Sequence, residues 1–327
     1  MLDGEVRHVL ATLRRGAIPV VESRRPWPMQ TAFFASREVA LRRLSRWRAL
    51  GVTVTFPFYH GYPGEGEPAF DELFTRLRAG HSHVARIQVT HTKMRDLLLD
   101  AGVAEDRVRL IRIGVDTAMF VLPTLAQRAE SRVRLGLPEH AVVVGSFQKD
   151  GNGWGDGLEP KRVKGPDVLV AALTRLKGIV PELWVLLSGP ARGFVKRELT
   201  RRGIPFVHVE AAADDMPKLY HALDAYLVAS RQEGGPKAIL ESMSSGVPIV
   251  STRVGQAPDL ITHGETGYLA DIGDEAALAA GLLATLADET WRASYRRAAR
   301  AVAEANDYVA QQSAWMQFFE GLVTPPR

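Results

Sequence analysis

The sequence predicts an α/β protein of doubly wound architecture, in about two domains. Short β-rich apolar runs alternate with helix-patterned segments, which marks βαβ units. Several of those runs are apolar on both faces, as strands of a parallel sheet covered on each side must be. The chain has 327 residues, enough for about two domains at ~150 residues each.

In chain order, strands are read at residues 52–56, 84–89, 108–113, 141–145, 183–187, 225–229 and 247–252. Helices are read between them, at residues 166–177, 216–223 and 236–245 among others. Polar residues Gln127, Glu130, Ser131 and Arg132, then Pro138, come just before the fresh run 141–145, so residues 123–137 read as a boundary. The expected organisation is a first domain over residues 1–137, a second over 138–306, and a C-terminal helix in 307–327 that packs across the junction. Tyr308, Trp315, Phe318 and Phe319 give that last helix its apolar face.

Composition excludes several classes. Hydrophobic residues make up 46% and charged residues 24%, ordinary globular values that rule out a disordered tail. With no cysteine, a disulfide scaffold, a thiolate metal site and a cysteine nucleophile are all excluded. No apolar run approaches the ~20 residues that span a bilayer. Asp3 and Glu5 stand where a signal peptide would be basic, so the expected address is cytoplasmic.

The net charge of +4 is small. Basic residues gather early, at Arg14, Arg15, Arg24, Arg25, Arg42, Arg43, Arg46 and Arg48, a pattern that fits peripheral contact with anionic lipid or an acidic acceptor. A solvated helix face is the plainer alternative. No basic run is interleaved with aromatics, so no nucleic-acid partner is expected.

Residues 230–248, Ser-Arg-Gln-Glu-Gly-Gly-Pro-Lys-Ala-Ile-Leu-Glu-Ser-Met-Ser-Ser-Gly-Val-Pro, carry the most chemistry. They follow a strand, so they occupy the carboxyl end of a parallel sheet, where ligands of open α/β folds bind. Gly234 and Gly235 let a ligand approach the backbone, and Pro236 suits a helix start. An anion placed there meets free amides and the helix dipole, with the charge of Lys237 added. Glu233 lies ahead of the helix and Glu241 inside it. Each carboxylate can accept two hydrogen bonds from a diol, so the pair suits an extended ligand with a sugar at one end and a ribose at the other. A first-turn charge and a solvated side chain are the bland alternative for these two residues.

The stretch resembles the Glu-x7-Glu motif of family-4 retaining glycosyltransferases, which have the GT-B fold. Other segments match that family in order: Ile113-Gly114-Val115-Asp116 with Phe120, Lys164-Gly165-Pro166-Asp167-Val168-Leu169, the segment from Met216 to Ser230 with Tyr220 and Asp224, Ser251 to Gly255, and Gly264 to Leu269. The resemblance runs from about Gly51 to Leu283. It implies two Rossmann-like domains facing across a cleft, with the first domain shortened here. The family opens with a strand and a Gly-rich turn, for which Gly16-Ala17-Ile18-Pro19-Val20-Val21 is a poor match.

By resemblance, Glu233 contacts the transferred sugar and Glu241 the ribose diol, while Gly234, Gly235 and Pro236 cradle the sugar and distal phosphate. Lys164 matches a lysine that neutralises the diphosphate. The family places a basic residue just after the strand matched by residues 142–145. Here it is displaced, with Lys149 the candidate and Lys161 the substitute. His60, after the strand at 52–56, resembles a histidine placed opposite the donor sugar, though a capped loop histidine is the alternative. The implied reaction moves a glycosyl group from a nucleotide-diphosphate sugar to an acceptor hydroxyl with retention. Neither cofactor nor metal is expected. His81, His83 and His91 have no acidic residues at ligand spacing.

Two other functions compete. A dinucleotide oxidoreductase would use the loop Gly151-Asn152-Gly153-Trp154-Gly155-Asp156-Gly157, but no glycine follows three residues after any of its Gly-x-Gly pairs. The loop reads instead as a flexible flap beside the donor site, or a turn. A GT-B-fold partner subunit without activity is the second rival, which an intact donor motif disfavours.

Overall fold

The computed structural model describes residues 2–16, 18–23, 26–64 and 68–323, with the side chains of residues 2–5 excepted. Ala17, Arg24 and Arg25 lie outside the described residues. The chain divides into two compact units, residues 1–113 with 308–327, and residues 114–307.

Unit 1 begins with α1 (Leu2–Arg15), β1 (Thr31–Phe33), α2 (Arg37–Arg42), α3 (Leu44–Ala49) and β2 (Thr53–Pro57). It continues with α4 (Pro68–Gly80), β3 (Val84–Val89), α5 (Thr92–Asp100) and β4 (Val108–Leu110). Its parallel sheet keeps chain order, β1-β2-β3-β4. Val54, Phe56, Ile87 and Val89 are buried in its main core beside Leu73, Phe74 and Leu77 of α4.

Unit 2 holds α6 (Leu125–Arg134), β5 (Val142–Phe147), α7 (Pro166–Lys177), β6 (Leu183–Ser188), α8 (Gly193–Arg201) and β7 (Phe206–Val209). Then come α9 (Met216–His221), β8 (Ala225–Val228), α10 (Lys237–Ser244), β9 (Ile249–Thr252), α11 (Ala257–Leu260), β10 (Tyr268–Ala270), α12 (Glu275–Ala287) and α13 (Glu289–Ala305). The last helix, α14 (Gln312–Phe319), returns to unit 1 and packs on α1. There Trp315, Phe318 and Phe319 share a core with Val9 and Leu13.

The six-stranded parallel sheet of unit 2 runs β10-β9-β8-β5-β6-β7. Successive residues of its strands enter different cores. Val143, Leu186, Tyr226, Ile249 and Leu269 join one cluster, and Val144, Val185, Leu227, Val250 and Ala270 join another. The sheet is therefore apolar on both faces, as the sequence predicts. The strand order reverses between β5 and β8, so the reversal that defines double winding belongs to unit 2.

The two compact units have limits that differ from the expected ones at two places. The division falls at 113/114, ahead of the expected 137/138, because Val115 and Phe120 are buried in the unit 2 core. The segment read as a boundary contains α6, opened by a Thr124/Gln127 capping box. The C-terminal helix belongs by its contacts to unit 1.

Candidate functional site

The reversal point brings together the carboxyl ends of β5 and β8. Gln148, Lys149 and Asp150 follow β5, and Ala229 to Pro236 follow β8. The turn ahead of α7 lies against this second loop. Its Gly165 has φ +61°, and a Cβ there would stand 1.9 Å from the Ala229 carbonyl oxygen. Only a glycine fits that approach. Arg231 N and Gln232 N both donate to Val163 O, at 2.8 and 3.1 Å. Arg231 also clamps Asp167 through two 2.7 Å bonds, which hold that carboxyl below its ordinary range.

This zipper places Lys164 beside Glu233. Lys164 Nζ donates to Glu233 Oε1 at 2.5 Å, and Ser230 Oγ donates to the same oxygen at 2.9 Å. Glu233 is buried. Lys161 is half-buried nearby, and burial, followed by the charges of Lys164 and Lys149, pushes its pKa below the lysine value. The carboxylate of Glu233 acts in the opposite direction on it. Three lysines thus share one pole of the sheet with one carboxylate, a local excess of two positive charges.

Gly234, Gly235 and Pro236 are buried behind Glu233, and Pro236 caps α10. Lys237 opens that helix and is half-buried. Glu241 lies further along it. Its Oε2 accepts from the Tyr220 hydroxyl at 2.8 Å. Tyr220 is fully buried and stacks on Tyr226 with ring centroids 5.5 Å apart. Desolvation, then the Glu241 carboxylate, drives its phenol pKa far upward, so Tyr220 stays a donor.

The glycine loop, expected as a flexible flap or a turn, is anchored at its base. Gly151 bridges Pro160, and Gly193 N donates to Asp156 O at 2.7 Å. Gly157, at φ +71°, packs so close to Ala191 that a Cβ would stand 2.1 Å from its carbonyl oxygen. Beneath it, Asp150 and Arg192 form a 3.1 Å ion pair with both side chains fully buried. Arg192 Nη1 also donates to the carbonyls of Ser146, Gln148 and Ser188. At the loop tip Trp154 is 85% exposed, and Lys149 Nζ lies 3.6 Å from its ring centroid. That cation–π contact orients Lys149.

Lys149, Lys164, Gly234, Gly235, Pro236, Lys237, Glu233 and Glu241 therefore all belong to unit 2, with Lys161 added. His60 belongs to unit 1, exposed beyond the end of β2, its ring 5.8 Å from that of Phe70. His91 caps α5 by accepting from Met94 N, and Arg48 lies 3.0 Å from His83, so these two histidines have structural partners. Sequence reasoning missed the work of Ser230, the Arg231–Asp167 clamp and the Asp150–Arg192 pair. Each is a contact between residues far apart in the chain or on a turn, and none leaves a periodic signal.

Residues 156–288 match the family model described as Glycosyl transferases group 1. The matched segment lies within unit 2. It includes Lys161, Lys164 and the whole stretch from Glu233 to Glu241. The chain is 31% identical over 214 residues to the D-inositol 3-phosphate glycosyltransferase of Corynebacterium efficiens, a match spanning 61% of this chain and 47% of that one. It is 28% identical over 222 residues to the sulfoquinovosyl transferase SQD2 of Arabidopsis thaliana, covering 66% and 40%. The chain thus spans about half the length of the curated relatives it matches. In fold it is similar to the Anabaena protein Alr3699/HepE solved with UDP and glucose. The TM-score is 0.74 at 19% identity, over 96% of this chain and 81% of that one. A sucrose-phosphate synthase from Thermosynechococcus elongatus gives 0.72 at 20% identity, over 89% and 73%. The chain's two parallel-sheet α/β units therefore have the GT-B fold.

Proposed function

We propose that this protein is a retaining, family-4-type glycosyltransferase that moves a sugar from a nucleotide-diphosphate sugar to an acceptor hydroxyl. The observation that carries the proposal is the pole of unit 2, where Lys164 pairs with the Glu233 carboxylate and Lys161 lies within electrostatic reach of Glu233, Lys164 and Lys149. Their excess of two positive charges matches the two negative charges of a nucleoside diphosphate sugar. In this reading the arriving diphosphate takes over Lys164, and Glu233 turns its oxygens to sugar hydroxyls. Glu241, steadied by Tyr220, accepts from the ribose diol. Backbone amides at Gly234 and Gly235 approach the sugar and distal phosphate.

In the proposed reaction the bond between the anomeric carbon and the phosphate oxygen breaks. A bond to the acceptor oxygen forms on the same face, and the acceptor proton goes to the departing phosphate. The lysines offset charge as it grows on that phosphate, which is electrostatic and proximity catalysis. No metal is required where ammonium groups supply this charge. His60 enters through the resemblance, as a residue that would touch the sugar. Arg14, Arg15, Arg42, Arg43, Arg46 and Arg48 are all exposed on unit 1 and form its proposed contact with an acidic acceptor or lipid surface. No helix among the described residues is long and apolar enough to cross a membrane, and a cytoplasmic address is part of the proposal.

The test is a thermal-shift panel of UDP-, GDP- and ADP-sugars, since ligand binding raises stability by mass action. One donor is expected to raise the transition temperature and be slowly hydrolysed, with the α-anomer released first if the donor is an α-linked sugar. The Anabaena protein's complex with UDP supports starting with UDP-sugars. No response to any of them would overturn the proposal.

A further inference from the structure

Unit 2 has a mainly apolar concavity with several charged and polar lining residues, at the pole opposite Glu233. It is a cavity of about 230 Å³ lined at the amino ends of β8 and β9 by Leu223, Asp224, Val247 and Pro248. Arg128, Arg292 and Arg296 line it too, as do His221 and Ser245. None of these residues has been assigned a task in sugar transfer.

Its electrostatics are unbalanced. Asp224 pairs with Arg128 at 2.7 Å and Arg132 at 2.6 Å, with Arg292 at 3.8 Å. The exposed Glu289 reaches Arg292 at 3.5 Å and Arg296 at 3.9 Å. Four guanidinium groups thus meet two carboxylates. A second observation is independent of charge. His221 is 7% exposed and Ser245 1% exposed, and neither His221 Nε2 nor Ser245 Oγ has a hydrogen-bond partner. Buried polar atoms are nearly always paired. Two orphans lining one cavity beside surplus guanidinium groups describe a place shaped for a polar, anionic guest. The backbone of Val121 holds the His221 ring through its other nitrogen. An apolar rim of Leu122, Pro123 and Leu125 completes the mouth.

We propose that this cavity binds a small soluble organic phosphate. Its oxygens would meet Arg292, Arg296, Ser245 and His221, and its apolar body would lie on Leu122 and Pro123. A phosphomonoester suits the set because its monoanion offers both anionic oxygens and a hydroxyl, and because guanidinium groups bind phosphate in paired hydrogen bonds. Tyr220 lines the same cavity and bonds Glu241 with its hydroxyl. The site therefore shares a residue with the donor pole, while its occupancy does not depend on the transferase proposal.

Calorimetric titration of the full chain with phenyl phosphate tests this, with inorganic phosphate and benzyl alcohol as partial ligands. Phenyl phosphate is expected to bind, inorganic phosphate more weakly, and benzyl alcohol not at all. Arg296→Gln, at a residue whose side chain is 44% exposed, should weaken phenyl phosphate about tenfold, the loss of one charge-assisted bond. Lys161→Met, at the donor pole, should leave it unchanged. On adding phenyl phosphate, the Nε2 resonance of His221 should shift in the intact protein. Absence of binding, or binding lost with Lys161→Met and kept with Arg296→Gln, would overturn the proposal. So would an Arg296→Gln effect confined to phosphatidate vesicles, which would assign the cavity to a lipid headgroup.

Discussion

The ammonium of Lys164 stands 2.5 Å from the carboxylate of Glu233, and this pair joins two loops that are 69 positions apart in the chain. Each member satisfies the other. In the proposed reaction both are released to different parts of one donor.

Replacing either partner should therefore have different effects. Lys164→Met removes the ion pair from the Glu233 carboxylate, which keeps the Ser230 hydroxyl bond and the nearby Lys161 charge, and should cost about 1–3 kcal/mol of stability. The lower end is expected because the lysine side chain is 19% exposed. UDP affinity should fall about tenfold or more. Glu233→Gln should bind UDP within about threefold of the parent and lose roughly 100-fold in turnover, since the sugar is no longer held. Calorimetry with UDP and a transfer assay separate the two outcomes.

Lys161 makes donor binding sensitive to alkaline pH. Its pKa is depressed by burial and by Lys164 and Lys149. A bound diphosphate opposes that depression and raises the pKa, so the complex holds more protons than the free protein within that window. Affinity should then fall as pH rises through the depressed pKa of Lys161. Calorimetry at a series of alkaline pH values, in buffers of different ionisation enthalpy, should report proton uptake, and Lys161→Met should remove most of it.

Tyr220→Phe deletes the 2.8 Å hydrogen bond to Glu241 and leaves the stack on Tyr226 in place. Glu241 then lacks the donor that fixes its rotamer. KM for the donor should rise about three- to tenfold, equivalent to ~0.6–1.4 kcal/mol, with a smaller change in kcat. A free sugar phosphate without the nucleoside should bind both proteins equally, which steady-state inhibition can check.

Gly165→Ala should be among the most damaging small changes. Its φ of +61° is costly for alanine, and the new Cβ would meet the Ala229 carbonyl at 1.9 Å. Gly136 has a similar φ of +65° with nothing within 4 Å, so Gly136→Ala isolates the conformational part. Chemical denaturation should give about 1 kcal/mol for Gly136→Ala and at least ~3 kcal/mol for Gly165→Ala.

The strands missing from the sequence reading have a common position. β1, β7 and β10 all lie at sheet edges. An edge strand is not covered on both faces along its length, so it leaves no continuous apolar run to notice. β7 is only half-buried at all four positions. α6 escaped for a related reason. Its single buried residue is Ser131, and Arg128 and Arg132 tie it to Asp224 in place of an apolar stripe. Glu233, Lys164 and the Gly-Gly-Pro turn were legible because strand-end position and helix-start chemistry are written locally. Pairing across 69 or 42 positions, as for Glu233 with Lys164 or Asp150 with Arg192, is decided by topology.

The limits of unit 2 carry a last implication. Val115 bridges Asp307, Val115 N donates to Asn306 O at 3.3 Å, and Thr117 donates to the Asp307 carboxylate through both N and Oγ1, at 2.9 and 2.8 Å. The point where the chain enters this unit is thus stapled to the point where it leaves. A domain whose two ends meet is a removable cassette: it can be lifted out, closed by a short peptide, reopened at another loop, or set into a different host.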